Sequence, residues 1–212
     1  MIEASARIYL GCIRRSLTLA FGSLALIGMS NFSSFAQPVL VDSAGKDSEY
    51  VLNSGRSRIS FSIGHFFVSS TQGQFTSFDG RLSFEPQAPE HGFVIVHIYP
   101  SSVTTDSAAR DEHLRAADFF NVDKFPSATF QSKTLVKDSS TTGRLVGALF
   151  LHGVTKPVTL KVTLLSPDPN GDKVDFSATG VLKRSDYGMS SFMGVIGDEV
   201  SLDIQAEFDK KR

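Results

Sequence analysis

The alternation of apolar and polar residues over 58–67 constrains the fold more than any other feature of this sequence. Residues of one parity are apolar except for one histidine: Ile59, Phe61, Ile63, His65 and Phe67. The intervening positions include Ser60 and Ser62. A period of two places successive side chains on opposite faces of a β-strand. The segment therefore predicts a half-buried strand with a histidine on its apolar side.

Further strands are predicted along the chain, most of them separated by short turns rather than by helices. The predicted segments are 78–84, 93–99, 128–136, 144–152, 157–165, 174–182 and 199–208. The sequence Gln72-Gly73-Gln74 is interpreted as a turn after the first strand. A sheet of about eight twisted strands tends to close on itself, and a closed eight-stranded barrel has room for side chains or for one small ligand. The pattern thus favours a closed all-β domain.

One helix is expected, over residues 107–118, with Asp106 as its N-cap. It contains the charged sequence RDEHLR at 110–115, followed by Phe119 and Phe120. Neighbouring helical residues point about 100° apart, so Asp111, Glu112 and His113 do not converge on a metal. Asp111 and Arg115 have the spacing of an ion pair. Two interpretations stay open: the polar residues pin the helix to the strands, or the helix caps a barrel mouth and they meet a ligand head group.

The first 36 residues have the pattern of a cleavable secretory signal peptide. Arg14 and Arg15 precede an apolar run over 17–29, and Ser34-Phe35-Ala36 provides small residues before a cut. The run is shorter than the ~20 residues of a membrane-spanning helix. Of 21 basic and 22 acidic residues, three and one lie in this segment, so the mature net charge is −3. The only cysteine, Cys12, is removed too, so we expect neither disulfides nor thiol chemistry.

Several sequence blocks, in order, resemble the YceI-like, polyisoprenoid-binding family of exported bacterial proteins. The blocks are SRISFSIGH (57–65), GQF (73–75), FDG (78–80), SVTT (102–105), RDEHL (110–114), DFF (118–120), FP (125–126), TFQS (129–132), GALFLHG (147–153), TKP (155–157), RSDYGM (184–189) and GDEV (197–200). They cover nearly the whole mature chain. One departure is Phe66-Phe67 after His65, which is bulkier than the family pattern and would narrow a cavity.

The resemblance implies a lipocalin-like, eight-stranded antiparallel β-barrel with one short inserted helix, preceded by a signal peptide. It divides the chain into a signal peptide (1–36), a flexible N-terminal segment (37–49) and a lipid-binding barrel (50–209). It also implies periplasmic or secreted localisation, no cofactor, and no established catalysis. The implied ligand is an isoprenoid quinone, a polyprenyl lipid or a fatty-amide-like lipid. No nucleic-acid partner and no integral membrane span in the mature chain are expected, and an open mouth with an apolar rim would allow a homodimer.

The expected ligand-binding residues combine inward aromatic and apolar side chains with a few polar groups. They are Phe61, Ile63, His65, Phe67, Phe75, Phe78, His97, Asp111, His113, Phe119, Phe130, Arg184, Tyr187, Met189 and Phe192. His65 and His97 share parity with apolar neighbours, and a polar group in an apolar tunnel can hydrogen-bond a carbonyl. The planar fork of Arg184 suits an anionic head group.

Two alternatives to a carrier stay open from sequence. One is a hydrolase or isomerase that acts on a lipid in the same cavity, with His65, Asp111 or His113 as acid–base groups. The other is a structural or stress-response interaction module, with its tunnel closed by Phe66 and Phe67.

Overall fold

A computed structural model describes residues 48–65, 69–85 and 87–211 of the chain. The predicted signal peptide, and all of the predicted flexible segment except its last two residues, lie outside this part. The described strands are β1 (Ser48–Leu52), β2 (Arg58–His65), β3 (Ser69–Phe75), β4 (Phe78–Phe84), β5 (Phe93–Ile98), β6 (Val103–Thr104), β7 (Ala128–Lys137), β8 (Thr142–Leu151), β9 (Val154–Pro167), β10 (Lys173–Lys183) and β11 (Ile196–Lys210). One α-helix, α1 (Ala108–Arg115), lies between β6 and β7.

The strands form a closed antiparallel ring of eight, in the order β1, β4, β5, β7, β8, β9, β10, β11. The pairing of β1 with β11, through Leu52 and Phe208, closes it. The long β11 also pairs with β2 between Ile196 and Gln205, and β3 and β6 continue the sheet from β2. The predicted eight-stranded antiparallel barrel with one inserted helix is confirmed, and β2, β3 and β6 extend the sheet beyond the ring.

Strict alternation on β4 shows why this chain forms a barrel with an apolar interior. Phe78, Leu82 and Phe84 are buried, whereas Asp79 and Arg81 are exposed. The buried side chains of β4 join a core cluster with residues of β1, β2, β10 and β11. Fully burying each such side chain stabilises the fold by about 1.5–3 kcal/mol. The barrel therefore depends on burial rather than on cross-links.

The predicted turn at Gln72-Gly73-Gln74 is wrong, because these residues lie within β3. Gly73 pairs with Phe61 of β2, and a Cβ atom at Gly73 would overlap the Phe61 ring. Glycine is needed there for close approach rather than for a turn. β1 begins at Ser48, so Ser48 and Glu49 belong to the sheet instead of the predicted flexible segment.

The helix is shorter than predicted and begins later. It follows Ser107, whose side chain makes no capping hydrogen bond. Asp106, the predicted N-cap, has a φ of 60° and precedes that position. The helix ends at Arg115, before Ala116. The sequence up to Asp118 contains no helix breaker, so the end of the helix was overestimated.

Candidate functional site

An apolar cavity of about 530 Å³ lies inside the barrel beneath α1. Its wall consists almost entirely of aliphatic and aromatic side chains from β2, β8, β9, β11 and the segments that flank α1. Ten of the predicted residues line it: Phe61, Ile63, His65, Phe75, His113, Phe119, Phe130, Arg184, Met189 and Phe192. A surface of this kind excludes water from an apolar guest and offers few hydrogen bonds.

The polar groups of the cavity are concentrated at one end, called the mouth below. The mouth is bounded by α1, by the facing ends of β2 and β3, and by residues 188–195, called the mouth loop. His65 Nε2 and Thr71 Oγ1 lie 2.8 Å apart across the β2–β3 pair. His65 also pairs in register with Ile196, directly after the mouth loop. A ligand head group at this end would meet imidazole and hydroxyl groups, while its tail would meet only apolar atoms.

One face of α1 covers the cavity. Ala109, Arg110, His113 and Leu114 all line it. The His113 ring contacts Phe119 edge to face at 5.2 Å, measured between ring centroids. The His113 side chain is 47% exposed, and its Nε2 lies 3.8 Å from Asp118 Oδ2. The helix thus places one half-exposed imidazole between the cavity and solvent.

Asp111 does not line the cavity but joins α1 to the end of β6. It is buried, and its Oδ1 accepts hydrogen bonds from Thr105 N at 2.8 Å and from Thr105 Oγ1 at 2.6 Å. Arg110 Nε and Nη2 donate to Thr105 Oγ1 and O. Arg115, the predicted ion-pair partner of Asp111, donates its hydrogen bonds to main-chain oxygens of Ser101 and Val103, although its charge still helps to lower the pKa of Asp111. Of the two interpretations left open from sequence, Asp111 has the structural role.

These contacts predict an acid-dependent contribution of Asp111 to stability. The hydrogen bonds from Thr105 lower the pKa of Asp111 below its ordinary value of 3.8. Because its pKa is lower in the folded state, the ionised carboxylate contributes its full stabilisation when the pH is above the ordinary pKa. That contribution is lost as the pH falls through the folded-state pKa. We expect Asp111→Asn to melt at a lower temperature than the native protein at neutral pH, with a difference that shrinks as pH falls below 3.8. Thermal melts between neutral pH and pH below 3.8 would measure it, and a constant difference would contradict it.

Arg184 is 3% exposed and has no N–H left for an anionic head group. Its Nε donates to Gly197 O, and Nη1 donates to the carbonyl oxygens of Met189 and Ser191. Nη2 donates to Ile196 O at 3.0 Å and contacts Met193 Sδ at 3.2 Å. Burial lowers the pKa of the guanidinium, and the charge of Asp198 opposes that shift. The predicted role of Arg184 in binding an anionic head group is therefore corrected: Arg184 fixes the backbone of the mouth loop.

Three more predicted residues lie away from the main cavity. His97 is on the parity opposite to Val96 and Ile98, and its Nδ1 lies 3.1 Å from Thr129 Oγ1. Phe78 lines a second cavity deeper in the barrel. Tyr187 is 1% exposed within the wall, where burial, reinforced by the charge of Asp186, raises its pKa to about 12. Phe67, together with the question of whether Phe66 and Phe67 narrow the tunnel, lies outside the described residues.

Sequence reasoning missed many wall residues that the period-two pattern already contained. The missed aliphatic positions on β8, β9 and β11 are Leu149, Leu151, Val158, Leu160, Val200, Leu202 and Ile204. Each alternates with outward positions of its strand, such as Ser201 and Asp203. The predicted site favoured aromatic and polar residues, but the inward parity of each strand would also have identified these aliphatic side chains.

A second, smaller cavity of about 150 Å³ continues the interior towards the opposite end. The two cavities share five apolar lining residues, called the partition below: Ile59, Ile98, Phe130, Leu160 and Ile204. The partition is the floor of the main cavity. An apolar guest that entered from the mouth would reach it after passing the polar groups.

The described residues contain neither a metal-site constellation nor a spanning helix. Among them, no group of three or more His, Cys, Asp and Glu side chains could hold a metal ion. No helix within that same part of the chain is long and apolar enough to cross a membrane. Of the three acid–base candidates for a lipid-acting enzyme, His65 and His113 line the cavity, whereas Asp111 bonds to Thr105 and does not line it.

A closed antiparallel barrel with a helix across an apolar cavity defines a lipocalin-like fold with an internal cavity. Residues 50–208 match the family model of the YceI-like domain. The chain is 40% identical to Protein YceI of Salmonella newport over 152 residues. The matched segment spans 70% of this chain and 79% of that protein. The chain belongs to the YceI-like family.

Solved structures share the same fold. The YceI protein of Campylobacter jejuni superposes with a TM-score of 0.63 at 30% identity, covering 71% of this chain and 90% of that one. A domain of Saccharophagus degradans, described as a polyisoprenoid binding domain, superposes with a TM-score of 0.59 at 17% identity. That match covers 76% of this chain and 98% of the domain, and its likeness concerns the fold alone.

Proposed function

We propose that the mature chain is an exported protein that binds an isoprenoid-tailed or similar amphiphilic lipid inside the barrel. The observation that carries the proposal is the cavity of about 530 Å³, apolar throughout except at its mouth. Membership of the YceI-like family and the fold shared with a polyisoprenoid binding domain support the class of ligand. The signal-peptide pattern of residues 1–36 supports export to the periplasm or beyond the cell.

Burial of the tail supplies most of the binding free energy. Each methylene-sized group removed from water contributes ~0.8 kcal/mol, so ~10 buried carbons contribute on the order of 8 kcal/mol. Ordering of the tail and loss of free motion cost several kcal/mol of this gain. With ~10 buried carbons the remainder is therefore smaller than the ~8 kcal/mol of a micromolar complex, and micromolar or tighter affinity requires a longer buried tail. Affinity therefore follows tail length, and the polar groups set orientation.

The head group lies at the mouth in this proposal. His65, Thr71 and His113 offer hydrogen bonds to a quinone carbonyl or to a fatty amide, and the exposed Arg110 adds a positive charge. Arg184 takes no part, since backbone carbonyls and Met193 occupy its donors. A homodimer in which two mouths cover each other stays a prediction. Analytical ultracentrifugation would measure the oligomeric state.

Native mass spectrometry of protein purified from the periplasm tests this function. We expect a bound lipid, or uptake of added isoprenoid quinone by the emptied protein. Protein that is always empty and also ignores added quinone, polyprenyl lipid and fatty amide would contradict the proposal.

A pair of neighbouring substitutions on β2 gives a matched control. Ile63 lines the cavity, whereas Ser62 lies on the outer face. Ile63→Asp places a carboxylate among apolar atoms, so we expect quinone affinity to fall about a hundredfold or more. Ser62→Asp adds the same charge outside and is expected to leave affinity unchanged. Equal affinities of the two variants would place the ligand outside the cavity.

A further inference from the structure

The mouth loop, residues 188–195, presents large apolar side chains to solvent. Phe192, Met193 and Val195 are between 42% and 50% exposed. Scattered exposed apolar residues are ordinary on a protein surface, but three within four positions form a cluster. The cluster lies beside the entrance of the cavity, since Phe192 also lines the cavity.

The backbone of the loop is bent into a conformation that favours glycine. Phe192 has a φ of 58°, and Gly188 and Gly194 have φ values of 77° and 90°. A bulky residue in the left-handed region is uncommon and persists where surrounding contacts hold it there. The main-chain N–H groups of Val195 and Ile196 both donate to Phe192 O, which tightens the turn. The exposed side chains are thus held outward by a defined turn.

The buried guanidinium of Arg184 fixes this turn from below. Its donors reach four carbonyl oxygens from Met189 to Gly197, on both sides of the exposed cluster. Burying a cation costs several kcal/mol unless hydrogen bonds offset the loss of water. A loop that only connected β10 to β11 would need neither a buried cation beneath it nor exposed Phe and Met side chains on it.

The loop is continuous with the cavity entrance. The Phe192 ring stacks on Phe119 at 6.2 Å and contacts His113 edge to face at 5.6 Å, measured between ring centroids. Met193 and Val195 extend the same apolar surface but do not line the cavity. An apolar tail that left the cavity past Phe192 would therefore meet these side chains before it met water.

We propose that the mouth loop docks the protein on a lipid bilayer surface, so that an apolar tail passes between bilayer and cavity without crossing water. This inference rests on the proposed function, because it assigns the surface through which that ligand is exchanged. The exposed charged residues near the loop and α1 carry both signs: Arg110, Glu112, Asp118, Lys183 and Asp186. Among the described residues around the mouth no cationic patch dominates, so docking proceeds by apolar insertion and depends little on anionic lipid or on salt.

The test measures transfer of a fluorescent isoprenoid quinone from phosphatidylcholine vesicles to the full mature chain. Under collisional transfer the rate rises with vesicle concentration, whereas release through water gives a rate independent of it. We expect the native protein to show the first behaviour, with a rate that changes little when salt is raised or phosphatidylglycerol is added.

A variant outside the cavity isolates docking from binding. Met193 is unsuitable because its Sδ lies 3.2 Å from Arg184 Nη2, so only Val195, which is 42% exposed and does not line the cavity, is changed. In Val195→Ser we expect the transfer rate to fall about fivefold. The matched control is Val181→Ser, at a valine that is 57% exposed elsewhere on the barrel, and we expect it to transfer at the native rate. Val195→Trp enlarges the exposed apolar surface instead. We expect its tryptophan fluorescence to shift to the blue when vesicles are added, and its transfer rate to exceed the native rate.

The outcomes separate docking from the proposed function. If quinone delivered from solvent binds the native protein and the loop variant equally well, while only the variant loses vesicle transfer, docking is supported. Unchanged transfer in the loop variant, or an equal loss in the control, would overturn docking and leave lipid binding intact. A loop that instead joins two copies, seen as a dimer that Val195→Ser dissociates while vesicle transfer stays native, would also overturn it. Failure to bind quinone from any source contradicts the proposed function itself.

Discussion

Replacing Arg184 with methionine is expected to lower the free energy of unfolding by about 3–5 kcal/mol. Methionine has nearly the length of arginine but no donor. The substitution leaves the carbonyl oxygens of Met189, Ser191, Ile196 and Gly197 without the partner that holds them now. A buried acceptor that loses its hydrogen bond costs about 1–3 kcal/mol, and removal of the buried cation returns part of that cost. Urea unfolding of the purified protein measures the difference.

Arg184→Lys is the matched control for charge. Lysine keeps the positive charge but has three donors on one nitrogen, so it cannot reach acceptors spread from Met189 to Gly197. We expect it to be destabilised to an intermediate extent, with hydrogen exchange accelerated in the mouth loop. If Arg184→Met and the native protein differed by less than about 1 kcal/mol, the guanidinium would not hold the loop as its contacts indicate.

The fold was largely predictable because alternation along a strand records which side faces the core. β4 was predicted with its observed bounds, and the predicted β2 includes the whole observed strand. β3 was not, since Gln72-Gly73-Gln74 has the composition of a turn. Its glycine is required by the Phe61 ring on the neighbouring strand. A pairing of that kind is not visible in the local sequence.

The site was less predictable, because a side chain's role depends on partners that are distant in sequence. β5 is apolar on both faces, so parity could not decide whether His97 points inward; Val96 and Ile98 occupy that side. Arg184 has the chemistry of an anion site, but its donors are taken by carbonyl groups up to 13 residues away. Asp111 is oriented by Thr105, which precedes the helix. In each case the residue type indicated which interactions the side chain could make, but its neighbours in the fold determined which of them it makes.

Replacing Phe130 with alanine is expected both to destabilise the barrel and to change which tails it binds. Phe130 is 8% exposed and belongs to the partition between the two cavities. Truncating a buried phenylalanine typically costs about 3–5 kcal/mol. Removing the ring also opens the main cavity towards the second one, so a longer tail gains contacts that the partition now blocks. Each further buried methylene-sized group adds ~0.8 kcal/mol, and we expect the preference for long-tailed over short-tailed quinones to rise about tenfold or more.

Phe208→Ala separates the change in tail preference from loss of stability. Phe208 is 3% exposed and lines the second cavity but not the main one. Its truncation should cost a similar unfolding free energy while the partition stays in place, so the tail preference should remain native. The measurement is competition between short-tailed and long-tailed isoprenoid quinones, monitored by native mass spectrometry. A native tail preference in Phe130→Ala, or an equal shift in Phe208→Ala, would show that the partition does not limit the depth to which a tail enters.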